Sequence, residues 1–180
     1  MIRPILTVAI LIFYGIRWRP SVLKRIFENK VSIYLFVGEI LMLIIAIFQL
    51  TDNDPFKFDP PLFMNYISLA VALMGAVFAS IARLALRENY VPAMAAFPPK
   101  KMVTTGLYRI IRHPAYFGTL IALIGFELAL SSYLVIIALA FAVIIIAQII
   151  KEEKMLSELY GAEWQDYVRQ VPYKLILFIY

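Results

Sequence analysis

No cysteine occurs in these 180 residues, and histidine occurs once, at position 113. The first absence excludes disulfides and thiolate metal sites, and a lone imidazole leaves no histidine cluster with metal-ligand spacing. A protein metal site is therefore not expected. Charge is sparse as well: Asp, Glu, Lys and Arg make up 16% of the chain against 63% hydrophobic residues, and the mean hydropathy is +0.83. This departs from a soluble domain in the direction of a membrane protein, and 1–180 reads as a single membrane domain. The formal charge of +5 does not indicate nucleic acid. The basic residues lie beside apolar runs, where membrane orientation accounts for them, and no DNA- or RNA-binding module is visible. A glycine-rich phosphate loop, a nucleophile elbow and internal repeats are also missing.

Long apolar runs are abundant. Spanning the hydrocarbon core takes about 20 predominantly apolar residues. The runs 2–16, which is short, 31–50 and 62–86 each supply one span. The run 116–150 is too long for one helix, and Ser131 and Ser132 near its middle predict a hairpin of two helices of roughly 17 residues. Arg17, Trp18 and Arg19 follow the first run where a signal peptide would carry small residues, so it reads as a retained anchor. The expected fold is all-α: an integral membrane protein with about five transmembrane helices, the last two a helical hairpin, plus a cytoplasmic loop and an amphipathic C-terminal helix.

Charges in the connections orient these spans, because lysine and arginine collect in short cytoplasmic loops. Residues 17–30 carry Arg17, Arg19, Lys24, Arg25 and Lys30, and 51–61 carry Asp52, Asp54 and Asp59 against Lys57. Residues 83–112 carry Arg83, Arg87, Lys100, Lys101, Arg109 and Arg112. The alternation predicts an outside N-terminus, with the 87–115 loop and the tail from Lys151 both cytoplasmic. Pro92, Pro98 and Pro99 make 87–105 a loop or partly re-entrant segment. In 151–170, Met155, Leu156, Leu159, Tyr160, Trp164, Tyr167 and Val168 fall near one stripe, giving an amphipathic helix with a break at Gly161.

The polar residues of interest gather at two points. "GLYRIIRHPAYFG", residues 106–118, places Tyr108, Arg112, His113 and Tyr116 at the cytoplasmic mouth of the fourth span, and Pro114 suits the first turn of its helix. The arginines and tyrosines have a plain reading as interfacial anchors. His113 is less easily explained that way, since histidine titrates near physiological pH. The second point is Gln148, Glu152 and Glu153, where Gln148 and Glu152 share a helix face. A hairpin at Ser131–Ser132 brings His113 and Glu152 to the same membrane face, able to line one site. Glu39, mid-span, is expected to be structural, paired with arginine or hydrogen-bond donors, and Glu127 is expected to lie away from the site.

"KMVTTGLYRIIRHPAYFG", followed after the hairpin by "KEEKMLSELYGAEWQDYVRQVP", resembles the signature of the isoprenylcysteine carboxyl methyltransferase family, whose wider group includes phospholipid methyltransferases. The resemblance covers 87–174, a methyltransferase-like cofactor-binding region after the first three spans in 1–86. It implies S-adenosylmethionine as methyl donor, bound from the cytoplasmic side. The implied donor contacts are Tyr108, the run His113, Pro114, Ala115 and Tyr116, and Glu152. Lys100, Met102 and Val103 stand where the family has a His-X-Leu-Val stretch, with Lys100 replacing the histidine. Family members acting on isoprenylcysteine place a carboxylate-binding arginine where this chain has Gln148, so Arg169 or Lys174 from the tail would have to substitute. His113 and Glu152 are the candidate catalytic residues for an acceptor that must lose a proton, and donor-positioning residues for a carboxylate acceptor. The implied partner is a lipophilic substrate entering from the bilayer. Two other readings stand beside this one: an NADPH-dependent membrane reductase of sterol-reductase type, and a non-catalytic membrane protein that binds lipid.

Overall fold

The computed structural model describes residues 2–27, 30–51, 55–90, 99 and 101–175. Its helices are α1 (Ile2–Arg17), α2 (Pro20–Ile26), α3 (Lys30–Gln49), α4 (Leu62–Leu86), α5 (Pro114–Ala129), α6 (Val135–Tyr160) and α7 (Ala162–Gln170), with short 3-10 turns at Arg87–Asn89 and Gly106–Arg109. Among the described residues there is no strand, only an isolated bridge between Lys57 and Ser132. The protein is all-α, as expected. Proline punctuates the starts: Pro20 opens α2, Pro61 precedes α4 and Pro114 opens α5, each where the missing N–H has no intrahelical partner to lose.

Two helices, α4 and α6, are long and apolar enough to cross a membrane, and the segments Phe36–Gln49 and Pro114–Ala129 form shorter apolar helices. Helix length and composition thus support membrane association. They leave the count of five to the topology proposed below.

α4 and α5 form the tightest pair, and small residues make it possible. A Cβ on Gly118 would lie 2.5 Å from the Ala79 nitrogen, and one on Gly125 would lie 2.5 Å from that of Ala72. Gly75 faces Ala122 just as closely. The helices run antiparallel with 72 against 125, 75 against 122 and 79 against 118. In lipid, where apolar contact alone gives helices little reason to associate, such backbone approach supplies the packing energy.

The two ends of the bundle differ in kind. At one end the 55–61 connection joins the α5–α6 turn: Phe58 N donates to Ser131 O (2.8 Å) and Tyr133 N to Phe56 O (2.8 Å). Beneath them Gln49 Nε2 donates to Glu127 Oε2 (2.7 Å) and to Ser132 Oγ (3.0 Å), all three residues being buried. At the other end Val22, Ile26, Ala82, Leu86, Tyr90 and Tyr108 form a cluster joining α2, α4 and the 3-10 turn before α5. Nearby, Arg17 forms a two-pronged ion pair with Glu39, which also accepts from Trp18 Nε1 (2.9 Å). Glu39 is therefore held by an arginine, the structural arrangement expected for it.

The tail departs from its expected form. The break at Gly161 is present, with φ of 52°, but no separate helix begins at Lys151. α6 continues without interruption for ten residues beyond Ile150, because "KEEKMLSELY" is made largely of good helix formers and a helix need not end where its apolar run ends.

Candidate active site

His113 sits at the N-cap of α5 with φ −124° and ψ 56°. Proline disfavours helical geometry at the residue before it, the chain turns here, and its backbone donors need partners outside α5. The C-terminal segment supplies them. Arg112 N donates to Tyr173 O (3.0 Å) and His113 N to Lys174 O (2.9 Å). Arg112 was expected at the lipid–water interface and is instead buried, its Nη1 donating to Val171 O (2.6 Å) and Pro172 O (2.7 Å) and its Nε to Glu153 Oε1 (2.8 Å). Arg112 thereby straps the tail to the mouth of α5.

The α6 extension delivers the carboxylates to that mouth. Glu153 Oε1 lies 3.2 Å from His113 Nε2, and Glu153 Oε2 lies 3.2 Å from Lys174 Nζ. Glu152 Oε1 is 3.9 Å from His113 Nδ1, and Glu152 Oε2 accepts from the Tyr116 hydroxyl at 3.0 Å. His113 and Glu152 do meet, as the hairpin implied, yet the carboxylate nearest the imidazole is Glu153. Its signal in the sequence was its place beside Glu152, and helical spacing alone does not say which of two neighbours turns inward.

The two carboxyls have opposite environments beyond the apolar run of α6. Burial pushes Glu153 up, but hydrogen bonds from His113 and Arg112 and the Arg112 charge overcome it and hold the carboxyl at about 2. Burial raises Glu152 above the ordinary carboxylate value, against the opposing pull of His113 and the Tyr116 hydroxyl. Glu153 is the anion that anchors the tail, whereas Glu152 is a desolvated carboxyl short of charge partners. Burial, reinforced by Glu152, also raises Tyr108 well above its usual value, which keeps that phenol neutral.

Glu152 and His113 open onto a narrow cleft. Met102, Val103 and Tyr108 line one side of it and Leu156, Trp164 and Tyr167 the other. Tyr167 holds the two sides together, its hydroxyl donating to Tyr108 O at 2.7 Å, while Met102 packs against the Leu156, Trp164 and Tyr167 cluster. Pro114 is buried at the start of α5, and Ala115 packs against the Tyr108 cluster. Gln148 is half-buried one turn before Glu152, with Nε2 buried and unpartnered among the described residues. Lys174 joins the cluster through Glu153. Arg169 does not: it points to solvent and pairs with Asp166 at 2.5 Å. Lys100 lies outside the described residues. Among the described residues no group of three or more potential ligands could hold a metal.

The sequence profile of phospholipid methyltransferases matches residues 63–163, from the first turn of α4 to the start of α7 and more than half of the chain. The chain belongs to the phospholipid methyltransferase family. The family match thus begins one helix before the motif stretch and takes in the tight α4–α5 pair. Two curated plant relatives agree with it. A probable protein-S-isoprenylcysteine O-methyltransferase of Oryza sativa subsp. japonica is 26% identical over 113 residues, which is 61% of this chain and 59% of that protein. Protein-S-isoprenylcysteine O-methyltransferase B of Arabidopsis thaliana is 38% identical over 76 residues, 40% of this chain and 38% of its own length. A Delta(14)-sterol reductase of Mus musculus is 29% identical over 84 residues, only 20% of that protein. This family member therefore spans less than two thirds of the curated relatives it matches, and what those whole proteins do is not transferred with the fold.

Proposed function

We propose that the protein is an S-adenosylmethionine-dependent integral membrane methyltransferase acting on a lipophilic substrate. The observation that carries this reading is the cleft lined by His113 and Glu152, the latter hydrogen-bonded by Tyr116, within a chain of the phospholipid methyltransferase family. Its lining suits the donor in kind: a desolvated carboxyl for ammonium or ribose hydroxyl groups, and Trp164, Tyr167, Leu156 and Met102 for an adenine ring. The space that admits water is about 40 Å³, far below the ~300–1,000 Å³ of a small-molecule site. Binding thus requires the Met102 side and the α7 side to separate, and Arg112 and Glu153 limit how far the tail can move.

S-adenosylmethionine would supply an electrophilic methyl group whose transfer is an in-line displacement. The protein's part is then positioning and exclusion of water, which in well-oriented reactions accounts for about 7–11 kcal/mol. Tyr116 orients Glu152 and Glu153 orients His113. A carboxylate acceptor needs no base, whereas an amine or hydroxyl acceptor would need His113 or Glu152 to accept its proton. In the proposed topology α1, α3, α4, α5 and α6 span the bilayer, with the N-terminus outside and the cleft cytoplasmic. An acyl or prenyl tail then stays in lipid while its head reaches a water-soluble donor.

Similarity to the sterol reductase keeps one rival reading, a reductase using NADPH. Equilibrium binding of labelled S-adenosylmethionine and labelled NADPH to the purified full-length protein separates the two. Saturable binding of the first alone is expected. A folded protein that binds only NADPH, or neither, refutes the proposal.

A further inference from the structure

A second polar feature lies one turn deeper than the cleft. Arg83, on α4, is only 1% exposed. Its Nη2 donates to Thr119 Oγ1 at 2.5 Å, but Nε and Nη1 have no hydrogen-bond partner among the described residues. The guanidinium carbon sits 4.3 Å from the centroid of the Phe13 ring and 6.0 Å from that of Tyr90. An aromatic face attracts the charge without accepting the in-plane N–H bonds. The carboxylate beside both Arg17 and Arg83 is Glu39, and its two oxygens are taken by Arg17 and Trp18. The buried Arg83 and the half-buried Arg17 therefore share one acid. A desolvated guanidinium with Nε and Nη1 open and only neutral hydroxyls, of Thr119 and Tyr90, beside it is unfavourable, and the arrangement is explained if an oxyanion completes it.

The position of Arg83 says what kind of oxyanion. Leu86, three residues on, lines the donor cleft, and Thr119 bonds back to Ala115 O (2.6 Å), one turn from His113 and Tyr116. In the other direction an open apolar depression of about 420 Å³ lies along α1, lined by Pro4, Ile5, Val8, Ala9 and Ile12 together with Leu73 of α4. Its last lining residue along α1 is Ile12, the chain neighbour of Phe13, whose ring covers the guanidinium. From Leu73 to Arg83 is about 15 Å of helix. The same two helices thus offer a lipid-facing apolar depression for a hydrocarbon tail and, farther along, a fork-shaped donor for a carboxylate or phosphate.

We infer that Arg83, with Thr119, binds the oxyanion head group of a membrane amphiphile whose tail lies in this apolar depression. Resting on the methyltransferase reading, this makes the substrate an acidic lipid. The test uses the full chain in uncharged maltoside micelles, titrated with dodecanoate, dodecyl phosphate, dodecanol and inorganic phosphate while thermal stability and heat of binding are followed. At least one dodecyl anion should bind ten or more times tighter than dodecanol and than inorganic phosphate. The stronger of the two anions identifies a carboxylate or a phosphate head. Arg83→Gln should abolish the preference, and Arg83→Lys should leave an intermediate one. Dodecanol binding as tightly as both anions overturns the inference, as does an Arg83→Gln variant that keeps the preference. Inorganic phosphate matching dodecyl phosphate overturns the depression's role. Should Arg83→Gln not fold, the wild-type comparison decides alone. Labelled S-adenosylmethionine is titrated on the same preparation: its failure with the anion preference intact refutes the methyltransferase reading, and the reverse result refutes the Arg83 site.

Discussion

His113, Glu152 and Glu153 form a unit whose members do different work. Glu153 is committed to Arg112, His113 and Lys174, whereas Glu152 has one neutral hydrogen-bond donor in Tyr116 and is free to face a ligand. His113→Ala and Glu152→Ala should each weaken S-adenosylmethionine binding by about tenfold or more, ~1.4 kcal/mol. Glu127→Ala, at the far end of the bundle, should leave it within about twofold. Equal losses from all three, measured by equilibrium binding, would put the site elsewhere. Glu153 gives a pH prediction of definite sign. Its carboxyl is held at about 2 in the folded protein, against roughly 4.3 for an unfolded glutamate. Its stabilisation is therefore complete above pH ~5 and lost as pH falls from ~4.5 towards 2. Hydrogen exchange in α7, taken relative to the intrinsic amide rate at each pH, should rise over that window, and Glu153→Gln should flatten the rise. Identical acid profiles for the two proteins would show that Glu153 does not hold the tail.

Elements tell a different part of the story. The α4–α5 register depends on residues that present almost nothing to a hydropathy reading: Ala72, Gly75 and Ala79 against Gly125, Ala122 and Gly118. Gly118→Ala places a methyl 2.5 Å from backbone, so the helices must part, at an expected cost of ~1–3 kcal/mol. Gly38→Ala meets nothing within 4 Å and should be neutral or stabilising by up to ~1 kcal/mol. Denaturant or thermal unfolding in detergent compares them, and an equal response would mean that α4 and α5 are not in van der Waals register. This pairing was not legible beforehand, because a glycine in a membrane helix identifies its partner only once the partner is known. The break at Gly161 was legible, since glycine there has the positive φ that other residues resist. The length of α6 was not: the change from Ile150 to Lys151 marks where lipid should end and says nothing about where hydrogen bonding ends.

At the scale of the whole molecule, apolar runs outlined the helices, and the hairpin at Ser131–Ser132 brought His113 and Glu152 to one end. What escaped was everything carried by the returning chain. Backbone bonds from Arg112 and His113 to Tyr173 and Lys174 join residues some sixty positions apart, and no local periodicity encodes such a strap. The same end-to-end polarity makes the topology testable. The connection at 55–61 lies against the 131–134 turn, and α7 lies with the cleft at the opposite end. Between Asp59 and Gln165 the chain passes through α4, α5 and α6. Three crossings put those two exposed residues on opposite sides of the membrane, and two crossings would put them on the same side. The absence of native cysteine lets single cysteines report this without background. In sealed vesicles of known orientation, Asp59→Cys should react with an impermeant maleimide from the outer side, and Gln165→Cys only from the inner side or after permeabilisation. Labelling of both from one side would mean that one of α4, α5 and α6 does not cross, and a cytoplasmic cleft fed from the bilayer would then have to be abandoned.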